Sequence, residues 1–116
     1  MKYLMLVCWD TESMDAQTEP GPNDTPDEKS FPWLDDVQAR GIWITGDQLV
    51  PPRRARSVRV RDGKTIVTDG PFAETKEAVG GFDIIECDSL EEAVEIAAGH
   101  PAAQGGTIEV RRLWGS

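Results

Sequence analysis

Residues 2–9 (Lys-Tyr-Leu-Met-Leu-Val-Cys-Trp) form a short, nearly continuous apolar run, which predicts a buried central strand. Residues 10–25 carry Pro20, Gly21, Pro22 and several acids with almost no large apolar side chain, and predict a long solvated loop. Thr25-Pro26-Asp27-Glu28 has the composition of a helix start: a capping threonine, a proline at the first helical position and an acid completing a capping box. Pro32 breaks a helix from within, so the pattern predicts a first turn and then a helix restarting near Ser30–Pro32 and ending at Arg40. Trp33, Leu34 and Val37 share its inner face, Asp35 and Asp36 lie outside, and Gly41 stops it.

Residues 42–50 predict a second strand, irregular at Gly46-Asp47 and ended by Pro51-Pro52. Residues 57–68 predict a hairpin around Asp62-Gly63, a dipeptide whose turn matches strand twist. Its register pairs Arg61 with Lys64, Val60 with Thr65, Arg59 with Ile66 and Val58 with Val67. Residues 82–88 predict a further strand. Ser89-Leu90-Glu91-Glu92 is a second capping box, opening a helix with Leu90, Ala93, Val94 and Ala97 on one stripe and Gly99 as its stop. Residues 106–114 complete the pattern as a last strand. With the hairpin set aside the order is βαββαβ, the ferredoxin-like arrangement of one antiparallel sheet with two helices on one face. The partly apolar opposite face then needs a cover, and a second copy of the chain supplies it most simply, so a homodimer is expected.

Composition narrows the function. The chain has 116 residues, the size of one domain. It carries 12 Lys+Arg against 21 Asp+Glu, a net charge of −9, with the excess shared by both halves. No basic face of the size nucleic acid or an anionic membrane requires is expected. Cys8 and Cys87 each lie inside an apolar run, outside any CxxC or Cys/His cluster, which suggests two buried thiols and no metal site. The opening apolar run is too short to span a membrane and lacks a small-residue cleavage site after it; with two unpaired thiols, this places the chain in the cytoplasm as an expectation.

Candidate chemistry gathers in the connection Asp69-Gly70-Pro71-Phe72-Ala73-Glu74-Thr75-Lys76-Glu77 and in Gly80-Gly81-Phe82. Asp69 serves either as a turn former before Gly-Pro or, if a pocket desolvates it, as a general base. His100, the one histidine, follows Gly99 at a predicted helix end. It is either a cap or a proton carrier, the latter only if it reaches Asp69. Phe72, Glu74 and Lys76 are candidate ligand contacts, with Lys76 facing an anionic group; a solvated loop edge is the alternative. Arg111 shares a strand face with Glu109 and either pairs across strands or grips a carboxylate. Arg53, Arg54, Arg56, Arg59 and Arg61 form a basic stripe, on exposed hairpin faces or facing an acidic partner. Trp9, Trp33, Trp43 and Trp114 are expected in the core or at the dimer interface.

The Asp69–Glu77 run and Gly80-Gly81-Phe82 resemble the DGPF-domain family, a branch of the YCII-related proteins. The resemblance takes in Met1-Lys2-Tyr3, Val58–Gly63, Val67–Phe72, Lys76-Glu77, Gly80-Gly81 and Ile108-Glu109-Val110-Arg111. It implies a ferredoxin-like α+β barrel assembled as a dimer, related to small barrels that include muconolactone isomerases, with some members linked to extracytoplasmic-function sigma factors. The histidine that wider YCII-like proteins carry early in the first helix is absent: Asp27, Glu28 and Lys29 stand there. The last-strand arginine is followed by Arg112 where members often have proline. Two functions follow as expectations. One is a cofactor-independent isomerase or lyase acting on a small polar or anionic metabolite, with Asp69 and His100 moving protons. The other is a non-catalytic ligand- or protein-binding accessory domain of a sigma-factor system.

Overall fold

The computed structural model describes residues 1–17, 31–73 and 75–116. The predicted helix start at residues 25–28 and the candidate Glu74 lie outside them. Strand β1 (Lys2–Asp10) leads into a short helix α1 (Thr11–Asp15), then helix α2 (Pro32–Ala39) and strand β2 (Trp43–Gln48). A 3-10 turn at Pro52–Arg54 precedes the hairpin strands β3 (Arg56–Arg61) and β4 (Lys64–Asp69). Strand β5 (Glu77–Glu86), helix α3 (Leu90–Ala98), a 3-10 turn at Pro101–Ala103 and strand β6 (Thr107–Arg112) follow.

The main sheet has the order β2-β5-β1-β6, every neighbour antiparallel. This is the ferredoxin-like order that the βαββαβ reading requires, with β3 and β4 forming a separate two-stranded sheet. The hairpin register is the one the sequence predicts, Val58 opposite Val67 and Arg61 opposite Lys64. Asp62 and Gly63 take φ of 51° and 75°, the left-handed geometry that a two-residue turn needs.

Strand alternation places the core. Tyr3, Met5 and Ile85 point to the helix side and are almost fully buried, joined there by Trp33 and Val37 of α2 and by Ala93, Ile96 and Ala97 of α3. Trp33 Nε1–H donates to the Ile96 carbonyl at 2.7 Å, tying the two helices together without leaving the indole unpaired. Ser89 caps α3 by accepting from Glu92 N–H at 3.1 Å, as the capping box predicts. Leu4, Leu6 and Ile84 alternate to the other face, where they are half-buried.

Two expectations are corrected. The solvated loop predicted from residue 10 opens instead with α1, whose first turn is held by the Asp10 carboxylate accepting from Ser13 N–H at 2.9 Å and Ser13 Oγ–H at 2.8 Å. The strand expected at residues 82–88 begins at Glu77, so Gly80-Gly81 is strand rather than connection. A side chain at Gly80 would start 2.5 Å from Met14 Sδ, which is why a strand interior carries glycine there. Of the two places expected for Trp114, the core is not the one it takes: it is 100% exposed on the single chain.

Candidate active site between the sheet and the helices

A cleft of about 570 Å³ opens between the helix-side face of the sheet and the segments that cover it. That volume lies within the range of small-molecule sites. Its walls come from the end of β1 (Val7, Trp9), from α1 and α2 (Met14, Leu34), from β2 (Trp43, Gly46, Asp47, Gln48), from β5 (Gly80, Gly81, Asp83) and from the turn after α3 (His100, Pro101).

Asp83 is the chemical centre. It alternates inward with Ile85 and is only 9% exposed, an ionisable side chain on an otherwise apolar face. Trp43 Nε1–H donates to its Oδ1 at 2.8 Å. The other oxygen, Oδ2, faces His100 Nε2 across 3.9 Å, beyond hydrogen-bonding distance. Burial pushes the Asp83 carboxyl above its usual range, and the Trp43 hydrogen bond and the His100 ring offset part of that rise. A Cβ added to Gly46 would stand 2.5 Å from Asp83 Oδ1 and 2.5 Å from the Phe82 carbonyl oxygen. Glycine at position 46 thus lets the β2 backbone close over the carboxylate.

His100 is fixed from three directions. Its own N–H donates to the Ala97 carbonyl at 3.0 Å, closing α3. Its Nδ1 accepts from Ala102 N–H at 3.0 Å, capping the following 3-10 turn. Its ring packs edge-on against Trp33 and Phe31, at centroid distances of 4.7 and 5.6 Å. Because Nδ1 is an acceptor, the neutral ring carries its proton on Nε2, directed at Asp83. Burial pushes the His100 pKa below the ordinary value, and Asp83 offsets part of the fall. The imidazole is therefore a neutral N–H donor beside a buried carboxylate. Taking up a second proton requires losing the Ala102 bond.

The cap expected of His100 is present, and so is a carboxylate at its Nε2; that carboxylate is Asp83. Asp69 ends the hairpin strand β4, where its side chain is 88% exposed and pairs with Arg56 Nε at 3.1 Å. Gly70 follows with φ of 89°, the geometry of the turn expected there. Phe72 is 76% exposed with the Arg59 guanidinium 5.5 Å over its ring, away from the cleft walls. Lys76 is exposed too. It offers its backbone carbonyl to Thr11 N–H at 2.8 Å, and its charge is the lesser partner of Ser13 in holding the Asp10 carboxyl below its usual range. Arg111 is exposed on β6, on the face opposite Val110 and the helices. The structure brings none of these four to His100. Asp83 is the residue that sequence reading passed over, and its signal was an acid at the inward position two residues from Ile85.

Among the described residues no group of three His, Cys, Asp or Glu side chains is placed to hold a metal ion, and no helix is long and apolar enough to cross a membrane. Cys8 and Cys87 are both free thiols, the first half-buried and the second buried; burial pushes each above its ordinary pKa.

Fold and cleft together define a small ferredoxin-like α+β domain with a carboxylate–imidazole pair under its helices. The YCII-related domain matches residues 1–115, and the chain belongs to that family. It is also 48% identical over 68 residues to an uncharacterized protein of Rhizobium meliloti (strain 1021). That stretch covers 57% of this chain and 55% of the relative, so the similarity spans little more than half of the relative's length.

Proposed function

We propose that the protein binds a small polar metabolite in this cleft and moves a proton on it without a cofactor, as an isomerase or lyase does. The observation that carries the reading is the buried, cleft-lining Asp83 carboxylate with one oxygen tied by Trp43 and the other facing His100 Nε2 across 3.9 Å. A carboxyl raised above its usual range is a stronger base than a solvated one, which suits it to take a proton from a bound ligand and return it to a neighbouring atom. Oδ2 is the atom that receives it. His100 acts as a positioning residue: its Nε2–H faces Oδ2 and keeps that oxygen oriented. The 3.9 Å spacing lies beyond hydrogen-bonding distance, and a small approach of the two groups would bring Nε2–H onto Oδ2. The general base expected at Asp69 is thereby reassigned to Asp83.

The working unit is a homodimer in this reading. Leu4, Leu6 and Ile84 present a half-buried apolar face away from the helices, and a second copy of the same face would complete its burial. A purely ligand-binding accessory domain would use the same cleft with no turnover. The experiment that separates the two is deuterium exchange in D2O, followed by proton NMR, on a panel of small enolisable ketones, unsaturated lactones and amines. Exchange of at least one compound by the wild type, reduced about 100-fold or more in Asp83→Asn, is the expected result. No exchange on any compound, or exchange untouched by Asp83→Asn, refutes proton transfer by Asp83.

A further inference from the structure

Among the described residues, the one charged side chain that the strand register turns into the cleft is Asp83, and no lysine or arginine lines it; Asp47, opposite Phe82, contributes backbone to the wall and turns its side chain to the other face of the sheet. Arg53, which reaches the rim residue Gln17, directs its guanidinium to the carbonyl oxygens of Asp15 and Gln17, at 3.1 and 3.4 Å. The remaining polar lining is uncharged. Gln48 donates from its side chain to Gln17 Oε1 at 3.4 Å, and Asp47 Oδ1 already accepts from Gln48 N–H at 2.8 Å. Trp9, Phe31 and Trp43 supply aromatic surface.

Asp83 Oδ2 is the second observation. The Asp83 side chain is 13% exposed, yet Oδ2 accepts no hydrogen bond among the described residues, its facing donor standing 3.9 Å away. A buried carboxylate oxygen without a donor is costly, and a ligand N–H placed in the cleft would satisfy it. A carboxylate or phosphate there would meet like charge at Asp83 and find no lysine or arginine to pair with among the described lining residues. A protonated amine would gain the Asp83 carboxylate, and a flat body behind it would lie on the indole and phenyl faces.

We infer that the cleft takes a planar organic amine, its N–H donating to Asp83 Oδ2, and that it rejects anions of the same shape. This rests on the cleft being the working site, and it replaces the anionic ligand that Lys76 and Arg111 suggested from sequence. The selection comes from this chain's own lining residues and sets which compounds of the exchange panel the protein can hold.

The test compares two probes with one ring system and opposite charge, tryptamine and indole-3-acetate, by calorimetric titration and by the NMR signals of the His100 ring at pH 7.5. Tryptamine is expected to bind at least about ten-fold more tightly and to shift the His100 signal. That preference is expected to shrink several-fold in Asp83→Asn and to stay unchanged in Asp47→Asn, whose side chain lies on the other face of the sheet. Equal or tighter binding of indole-3-acetate overturns the inference, as does a His100 signal that neither probe moves. The two readings fail separately. Deuterium exchange on anionic carbonyl compounds, lost in Asp83→Asn, would leave proton transfer standing and remove amine selection. Charge selection without exchange on any compound would do the reverse.

Discussion

Replacing Trp43 by Phe removes the one hydrogen bond that the Asp83 carboxylate accepts among the described residues, while leaving an aromatic ring in the wall. The bond is short, 2.8 Å from Nε1 to Oδ1, and its acceptor is charged and 9% exposed. Hydrogen bonds to charged groups contribute about 1.5–3 kcal/mol, and a buried acceptor left without its donor loses most of that. Trp43 itself is only half-buried, so lost packing adds little beside the lost bond. Trp43→Phe is therefore expected to lower unfolding free energy by about 1.5–3 kcal/mol at pH values where Asp83 is ionised. The same change raises the Asp83 carboxyl pKa further, because the donor favours the charged form. At low pH the protonated carboxyl needs the donor less, so the loss shrinks there. Urea unfolding at pH 4 and pH 7, with the Asp83 carboxyl carbon followed by NMR, reads both effects. Equal unfolding midpoints for variant and wild type at pH 7, with an unmoved Asp83 titration, would refute the claim that Trp43 holds the carboxylate.

Other perturbations probe the remaining parts of the account. Gly46→Ala drives a methyl group to within 2.5 Å of the Phe82 backbone oxygen, which cannot swing aside; a loss of about 1–3 kcal/mol in urea unfolding and a displaced His100 ring signal are expected. Ile85→Ala empties a fully buried site under both helices and is expected to cost about 2–5 kcal/mol in the same assay, without changing His100 tautomer or partners. The pH dependence has two signs. The folded chain holds the Asp83 proton above the unfolded value near 4, so wild-type stability relative to Asp83→Asn falls as pH rises from about 4 through the raised pKa. His100 is lowered, so its contribution is present above about 6.5 and is lost as pH falls from there through its folded pKa; unfolding of the wild type and of His100→Gln across pH 4–8 measures it.

Much of the fold was legible because its signals are local. The Asp62-Gly63 turn fixes the hairpin register by itself, and Ser89 with Glu92 marks the start of α3 within four residues. The strand and helix order then leaves few topologies, and β2-β5-β1-β6 is the one observed. The site was less legible because it is assembled from distant segments. His100 was visible as the lone histidine, but its carboxylate partner stands on β5, brought there by the pairing of β5 with β1 and β2. The Asp69 run drew the eye with its density of ionisable groups, whereas an aspartate before Gly-Pro at the end of an exposed hairpin strand has solvent and Arg56 as its surroundings. Gly80-Gly81 looked like a connection because glycine usually interrupts strands; here it makes room for Met14 and for the Asp47 backbone. Helix α1 escaped notice since five residues with one buried side chain, Met14, give no periodic signal.

The most direct measurement is the titration of the single histidine by NMR in the wild type, in Asp83→Asn and in Asp69→Asn. With burial lowering it and Asp83 partly restoring it, the His100 pKa is predicted to lie below the ordinary value, to fall further in Asp83→Asn and to stay unchanged in Asp69→Asn. A His100 titration indifferent to Asp83, or one that moves with Asp69, would contradict the carboxylate–imidazole pair on which the proposed site stands.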